Sequence, residues 1–171
     1  MDTYLAIVSK REVREYAERP IPDDVARRIL EAGRLAGSSA NKQQRRFVIV
    51  DGELQQRVAQ AVYVPGTVQG AALVVAIATS GGGPAGFDAG RAAQNMMLAA
   101  WNHGVGSCPN GMPHRDRVAS LIGLADGEEP AMLLTFGYPA RPVDPESRSP
   151  EEWAARAARK PFDEVVARAR G

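Results

Sequence analysis

Ala71-Ala72-Leu73-Val74-Val75-Ala76-Ile77-Ala78 is apolar from end to end, with no alternation. A strand with one wet face alternates apolar and polar residues, so this run predicts a central strand buried on both faces. Such a strand needs a cover on each side. Upstream, Val25, Ile29, Ala32 and Ala36 recur at helical spacing behind Pro22, Asp23 and Asp24, residues that suit a first helical turn. Downstream, residues 81–86 form a glycine-rich loop and residues 87–103 read as a long helix. Phe87, Gly90 or Arg91, Gln94, Met97 and Trp101 define one side of it, and Ala92, Ala93, Met96, Ala99 and Ala100 another. A helix this apolar around its circumference predicts deep burial, in the core and at a subunit interface.

Outward from that centre the pattern alternates again. Residues 47–50 and 131–136 predict two more strands. Asp51-Gly52 opens a helix carrying Leu54, Val58 and Ala61, Pro65-Gly66 reads as a turn, and residues 114–122 as a short helix. Ser149-Pro150-Glu151-Glu152 is a capping box that starts a last helix, carrying Trp153 and running towards Lys160-Pro161. Residues 2–10 predict a short helix, 12–19 an irregular or extended link, 106–111 a tight loop, and 162–166 an edge strand or arm. No repeat or linker interrupts the chain, so one α+β or α/β domain is expected over residues 1–171.

Composition narrows the function. With 171 residues, 44% hydrophobic and 24% charged, and a formal net charge of +1, the chain has no basic field of the kind nucleic-acid binders carry. No apolar run approaches the ~18 residues of a membrane helix, and the N-terminus does not resemble a signal peptide. A single cysteine, Cys108, rules out a disulfide framework and fits a reducing, cytoplasmic compartment.

Several chemistries are absent. The glycine cluster follows a strand and precedes a helix, yet it contains neither GxGxxG nor GxxxxGK[ST], and Asp88 places a negative charge at the helix start. His103 and His114 are the only histidines, without clustered carboxylates, so no metal site is expected. Cys108 sits in no nucleophile elbow and reads as a small buried residue. The polar stretches that remain are Lys10-Arg11-Glu12-Val13-Arg14, Ser38-Ser39-Ala40-Asn41-Lys42-Gln43, residues 106–111, and the second basic cluster Arg156, Arg159 and Lys160. Taken alone, the first is a solvated basic turn or an anion holder. Together they suit a ligand with a phosphate at one end and a polar chain leading to a heterocycle.

That order of motifs resembles the FMN-dependent nitroreductase family. The resemblance rests on Lys10-Arg11-Glu12-Val13-Arg14-Glu15-Tyr16, on residues 37–45 leading into a strand, and on Asp88-Ala89-Gly90-Arg91-Ala92-Ala93-Gln94-Asn95 followed by Gly104-Val105-Gly106-Ser107-Cys108. Gly137-Tyr138-Pro139 and Arg159-Lys160-Pro161-Phe162-Asp163-Glu164 complete it. It implies a nitroreductase-like α+β fold, with a central, mostly antiparallel sheet flanked by helices and a long buried core or interface helix. It also implies a homodimer with FMN held at the interface. Lys10 and Arg14 would hold the phosphate, helped by Arg159, with Arg11 against the phosphate or the ribityl chain. Asn41 and Gln43 would reach the ribityl chain or the ring edge, with Ser39 close by, and Pro109, Asn110 and Gly111 would line the ring near N5.

The implied reaction is ping-pong hydride transfer from NAD(P)H through the flavin to a small electron-poor aromatic acceptor, such as a nitroaromatic or quinone, with no catalytic side chain of its own. The alternatives are a flavin-binding or flavin-sequestering protein with little turnover, or a flavin enzyme using another hydride donor. Three positions depart from the family pattern. Glu12 replaces a phosphate-binding serine, Gln44-Arg45 replaces Pro-Trp, and Gly37 replaces a proline.

Overall fold

The apolar run forms β2 (Leu73–Ser80), and its Val74, Val75, Ala76, Ile77 and Ala78 are fully buried. The structure is a computed structural model that describes residues 1–169, in two units: Met1–Lys10 with the segment from Asp144 onward, and Arg11–Val143. In the second unit β2 lies between β1 (Arg45–Val50) and β4 (Glu128–Gly137), and β3 (Gly106–Asn110) pairs with the far side of β4. Each of these pairings is antiparallel, as the sheet expected from the sequence requires.

Side chains alternate across the sheet and build a core on each face. Val74, Ala76 and Leu133 pack with Val58 of α3 (Gly52–Ala59), Val68 of α4 (Pro65–Gln69) and Val118 of α6 (Arg115–Leu121). On the opposite face Val75, Ile77, Leu134 and Phe136 pack with Ile29 of α2 (Asp23–Arg34) and with Ala89, Ala93, Met96, Met97 and Ala100 of α5 (Ala85–Asn102). α2 and α5 touch closely where Gly33 leaves room for Met96. Within the chain α5 is buried along one stripe only. Phe87, Gly90, Arg91 and Gln94 face outward, and Phe87 is 69% exposed. Of the side expected to be buried, Met97 and Trp101 are covered inside this unit and the first turns are not.

Three local readings need correction. Residues 106–110 are a strand and not a loop: Gly106 and Pro109 look like turn signals, but an edge strand tolerates both. Pro65-Gly66 opens the short helix α4, because proline suits a first helical position. In the first unit, Phe162–Val165 is the short helix α8 and not a strand. That unit also holds α1 (Thr3–Ser9), capped by the Asp2 carboxylate on the backbone of Tyr4 and Leu5. α7 (Pro150–Arg156) carries the expected capping box but ends four residues before Lys160. It packs against α1, and buried Trp153 donates its indole N–H to the Pro145 carbonyl at 2.8 Å.

One exposed contact ties the β1 edge to the turn before β4. The Arg46 guanidinium meets Glu128 through Nε at 3.1 Å and Nη2 at 2.6 Å, and Glu128 also accepts from the Ala125 N–H at 3.0 Å. The Arg46 hydrogen bond, followed by the Ala125 N–H, pulls the Glu128 carboxyl down to about 2. A carboxyl depressed in the folded state contributes fully above its unfolded value of about 4.3, and that contribution is lost as pH falls through the folded value. Carboxyl NMR should therefore place the Glu128 midpoint near 2, and Glu128→Gln should reduce the stability lost between pH 5 and pH 2. A midpoint near 4.3 refutes the contact.

Candidate active site

The basic stretch owes its shape to two glycines. Gly106 and Gly137 face each other across β3 and β4. A Cβ on Gly106 would stand 2.6 Å from Val13 Cγ2, and one on Gly137 would stand 2.7 Å from Tyr16 Cγ and Cδ1. Their missing side chains let residues 12–17 lie against the sheet in extended form. Val13 N–H donates to the Ser107 carbonyl at 3.0 Å, Ala17 N–H to the Tyr138 carbonyl at 2.8 Å, and Ala140 N–H to the Glu15 carbonyl at 3.0 Å.

Tyr16 turns its ring into the core beside β4. Its hydroxyl lies 2.9 Å from Thr135 Oγ1 and 3.3 Å from the Thr135 carbonyl. Burial pushes the phenol above its ordinary range, so it stays protonated. On the same strand pair, the Asn110 side-chain amide donates to the Cys108 carbonyl at 2.9 Å and to Thr135 Oγ1 at 3.1 Å.

A recess of about 570 Å³ opens beside this stretch, lined by Arg14, Glu15, Tyr16, Val64, Gly66, Thr67 and Gly70. Thr67 is 2% exposed, and its hydroxyl has no partner among the described residues. A buried hydroxyl without a partner is costly, and this one is closed to solvent. Arg14 supplies a cation at the same recess. A second hollow of about 290 Å³ runs along Glu12, Val13, Arg14, Glu15, Pro139 and Arg141. Glu12 thus stands among two arginines and another carboxylate, alongside Ser107 of β3.

The turn at the end of β3 lines a third recess, of about 260 Å³, formed by Pro109, Asn110, Gly111, Met112, Arg115, Ala131 and Met132. The Gly111 carbonyl is held by the Tyr63 N–H at 3.2 Å. The Asn110 side chain is committed to the sheet, so the turn offers a ligand its backbone instead.

Residues 38–44 are pinned at several points. Ser39 N–H donates to the Asp88 carboxylate at 3.0 Å, Gln43 N–H to Ser38 Oγ at 2.9 Å, and Ser80 N–H to the Gln44 carbonyl at 3.3 Å. Asp88, which speaks against a nucleotide loop, instead anchors this segment to α5. Arg45 donates to the Ala36 and Arg34 carbonyls and so closes the end of α2. Ala40, Asn41 and Gln43 all have positive φ, at 48°, 53° and 54°. Asparagine accepts this region readily, alanine and glutamine less so, and such strain gathers at functional loops.

Within the second unit these groups divide. Residue 45 lies beside Thr79, and Thr79 beside Glu129, so the 39–43 loop sits at the Glu128 end of the sheet. Tyr16 pairs with Pro139, beyond the Gly137 end. β4 has ten residues, which at ~3.4 Å each separates the two ends by roughly 30 Å. One chain therefore joins Arg11 and Arg14 to the 109–111 turn, through Val13 and Ser107, and keeps Ser39, Asn41 and Gln43 apart from the basic stretch. Lys10 and Arg159 lie in the first unit, Lys10 as the residue closing α1 and Arg159 exposed beyond α7. Tyr16 was visible as the motif's aromatic, but nothing in the sequence signals the Thr67 hydroxyl or the role of Thr135. Among the described residues no group of His, Cys, Asp or Glu could hold a metal ion, and no helix is long and apolar enough to cross a membrane.

Known proteins share this fold. The model of the nitroreductase family matches residues 7–81 and 85–138. A protein of Methanothermobacter thermautotrophicus, provisionally named an NADH dehydrogenase/NAD(P)H nitroreductase, is 28% identical over 169 residues, covering 90% of this chain and 88% of its own. The structure of a provisionally named nitroreductase in complex with FMN, from Desulfovibrio desulfuricans, superposes with a TM-score of 0.80 at 25% identity, covering 100% of this chain and 99% of that one. The NADPH:FMN oxidoreductase of Vibrio harveyi, complexed with NAD+, superposes with a TM-score of 0.81 at 23% identity, covering 97% of this chain and 76% of that one.

The glycine pair can be tested directly. Gly137→Ala forces Tyr16 aside and should cost about 1–3 kcal/mol in urea denaturation, the usual range for overpacking. Gly86→Ala is the control: its Cβ meets open space in the first turn of α5, and the gain in helix propensity should stabilise by up to about 1 kcal/mol. Equal effects of the two refute the close approach of Tyr16.

Proposed function

Because the chain belongs to the nitroreductase family, we propose that it is an FMN-dependent oxidoreductase. It takes hydride from NAD(P)H and passes it, in ping-pong fashion, to an electron-poor acceptor such as a nitroaromatic or a quinone. The observation that carries the reading is the recess in which Arg14 stands, stitched by the Val13–Ser107 hydrogen bond to the strand that ends in the 109–111 turn. A cation suits the phosphate end of FMN, and an exposed backbone turn suits the edge of a flat heterocycle.

Bound FMN supplies the redox chemistry, with donor and acceptor using its ring in turn. The protein's share is to hold and orient. Arg14 neutralises the phosphate, with Arg11 beside it. Pro109, Asn110 and Gly111 offer backbone to the ring. Lys10 and Arg159 are proposed as further phosphate cations on the sequence pattern alone. The proposed reaction asks for no acid or base from a side chain, because its hydride moves between rings.

Ser39, Asn41 and Gln43 enter through a second copy of the chain. They lie roughly 30 Å along the sheet from Arg14, by strand length, so one subunit's loop can complete only its partner's site. On the outward side of α5 Phe87, together with the exposed Leu35, offers apolar contact for such a homodimer.

Purified protein should be yellow, bleach under anaerobic NADPH or NADH, and recolour with a quinone. Flavin that stays oxidised with both nucleotides refutes the nicotinamide oxidoreductase and leaves a flavin-binding protein or a flavin enzyme using another hydride donor. Arg14→Ala should weaken FMN by about 10–100-fold in fluorescence titration, the effect of losing ~1.5–3 kcal/mol of charged hydrogen bonding; unchanged affinity removes Arg14 from the site. Sedimentation of the flavin-loaded protein should give twice the 18.3 kDa chain mass. A loaded monomer refutes the shared site.

A further inference from the structure

The buried hydrogen bonds around Thr135 link the two recesses. Tyr16 lines the Arg14 recess, Asn110 lines the recess at the 109–111 turn, and both reach the same Thr135 oxygen, at 2.9 Å and 3.1 Å. Thr135 is fully buried and has one hydroxyl proton. The Cys108 carbonyl, 3.2 Å from Oγ1, can only accept. With the proton directed there, Oγ1 receives Tyr16 and Asn110 as donors, and each group is satisfied. Asn110 donates as well to the Cys108 carbonyl, which locks its side chain across the turn it precedes. Networks of this kind fix one arrangement because every alternative leaves a buried polar atom without a partner.

We propose that Tyr16 is a positioning residue. Its hydroxyl orients Thr135, Thr135 holds the Asn110 side chain, and Asn110 holds the 109–111 turn in the shape that receives the flavin ring. This rests on the flavin reading above. It assigns the two ends of the site different dependences: Arg14 acts on the phosphate, and Tyr16, although it lines the same recess, acts on the ring.

Tyr16→Phe, Thr135→Val, the double variant and Thr135→Ser separate this from a packing role. In flavin titrations Tyr16→Phe should weaken FMN and riboflavin by the same factor, roughly three- to tenfold, about one hydrogen bond's worth. Riboflavin lacks the phosphate, so a loss confined to FMN would make Tyr16 only a wall of the Arg14 recess and overturn the proposal. Thr135→Ser keeps the oxygen and should bind as the parent does. In the Thr135→Val background Tyr16→Phe should have no further effect, because its hydroxyl then has nothing to orient; equal effects in both backgrounds overturn the relay.

A second readout needs no flavin. In the flavin-free protein, hydrogen exchange of the Asn110 side-chain amide should speed up by roughly tenfold in Tyr16→Phe, the equivalent of about 1.4 kcal/mol. It should stay at the parent rate in Thr135→Ser, and an unchanged rate in Tyr16→Phe overturns the relay. If the parent protein binds neither flavin, the functional reading fails, while the exchange rates still decide whether Tyr16 holds Asn110.

Discussion

Removing two side chains lets one stretch of backbone lie where it otherwise could not, and the site depends on that contact. Gly106 and Gly137 are partners across β3 and β4, and the spaces they leave are taken by Val13 and Tyr16. From that approach follow the hydrogen bonds that straighten residues 12–17, the burial of the Tyr16 ring, and the reach of its hydroxyl to Thr135. Arg14, between Val13 and Tyr16, is carried into its recess by the same contact. A basic stretch that local sequence describes as a solvated turn is thus given a fixed direction by residues more than ninety positions away.

Strength is distributed unevenly around this contact. The sheet core is dense and apolar on both faces, with Ile29, Met96, Leu133 and Phe136 fully buried. The candidate site sits at its margins, where polar atoms are paired one by one and some are left over. Thr67 and Ser107 each bury a hydroxyl with no partner among the described residues, and the 39–43 loop holds three non-glycine residues at positive φ. Such costs are carried by the rest of the fold and gather where a ligand is to be bound.

The sheet and its helices were legible because their signals are periodic and local. The unbroken apolar run of β2, the helical spacing of α2 and the capping box of α7 each describe their own element. The errors fell where one residue type serves two purposes. Gly106 and Pro109 punctuate loops, but here they belong to an edge strand, the glycine because another segment passes over it. Of the α5 side read as buried, Met97 and Trp101 are covered within the chain while Phe87 and Gln94 are not, because composition reports that a helix is apolar without saying which chain covers it. Of the candidate site, the basic stretch and the 39–43 loop were legible as motifs. The distance between them along the sheet was not, nor was the Thr67 hydroxyl, since both depend on register. Asn110 was assigned to the ring by its position in a motif, while its side chain is spent on the sheet.

The β1 edge bears on solubility. β1 ends the sheet, and among the described residues no strand pairs with its outer side. Phe47-Val48-Ile49-Val50 is the sort of short, uncharged, β-prone run that recruits other chains when left open. Two arginines precede it and an aspartate with a glycine follows, a bracketing that discourages such stacking. Arg46 is held in place by Glu128, and Arg45 is tied to the end of α2. The guard at this edge is therefore anchored to the folded protein, and a partly unfolded chain that frees those arginines exposes an apolar edge to its neighbours.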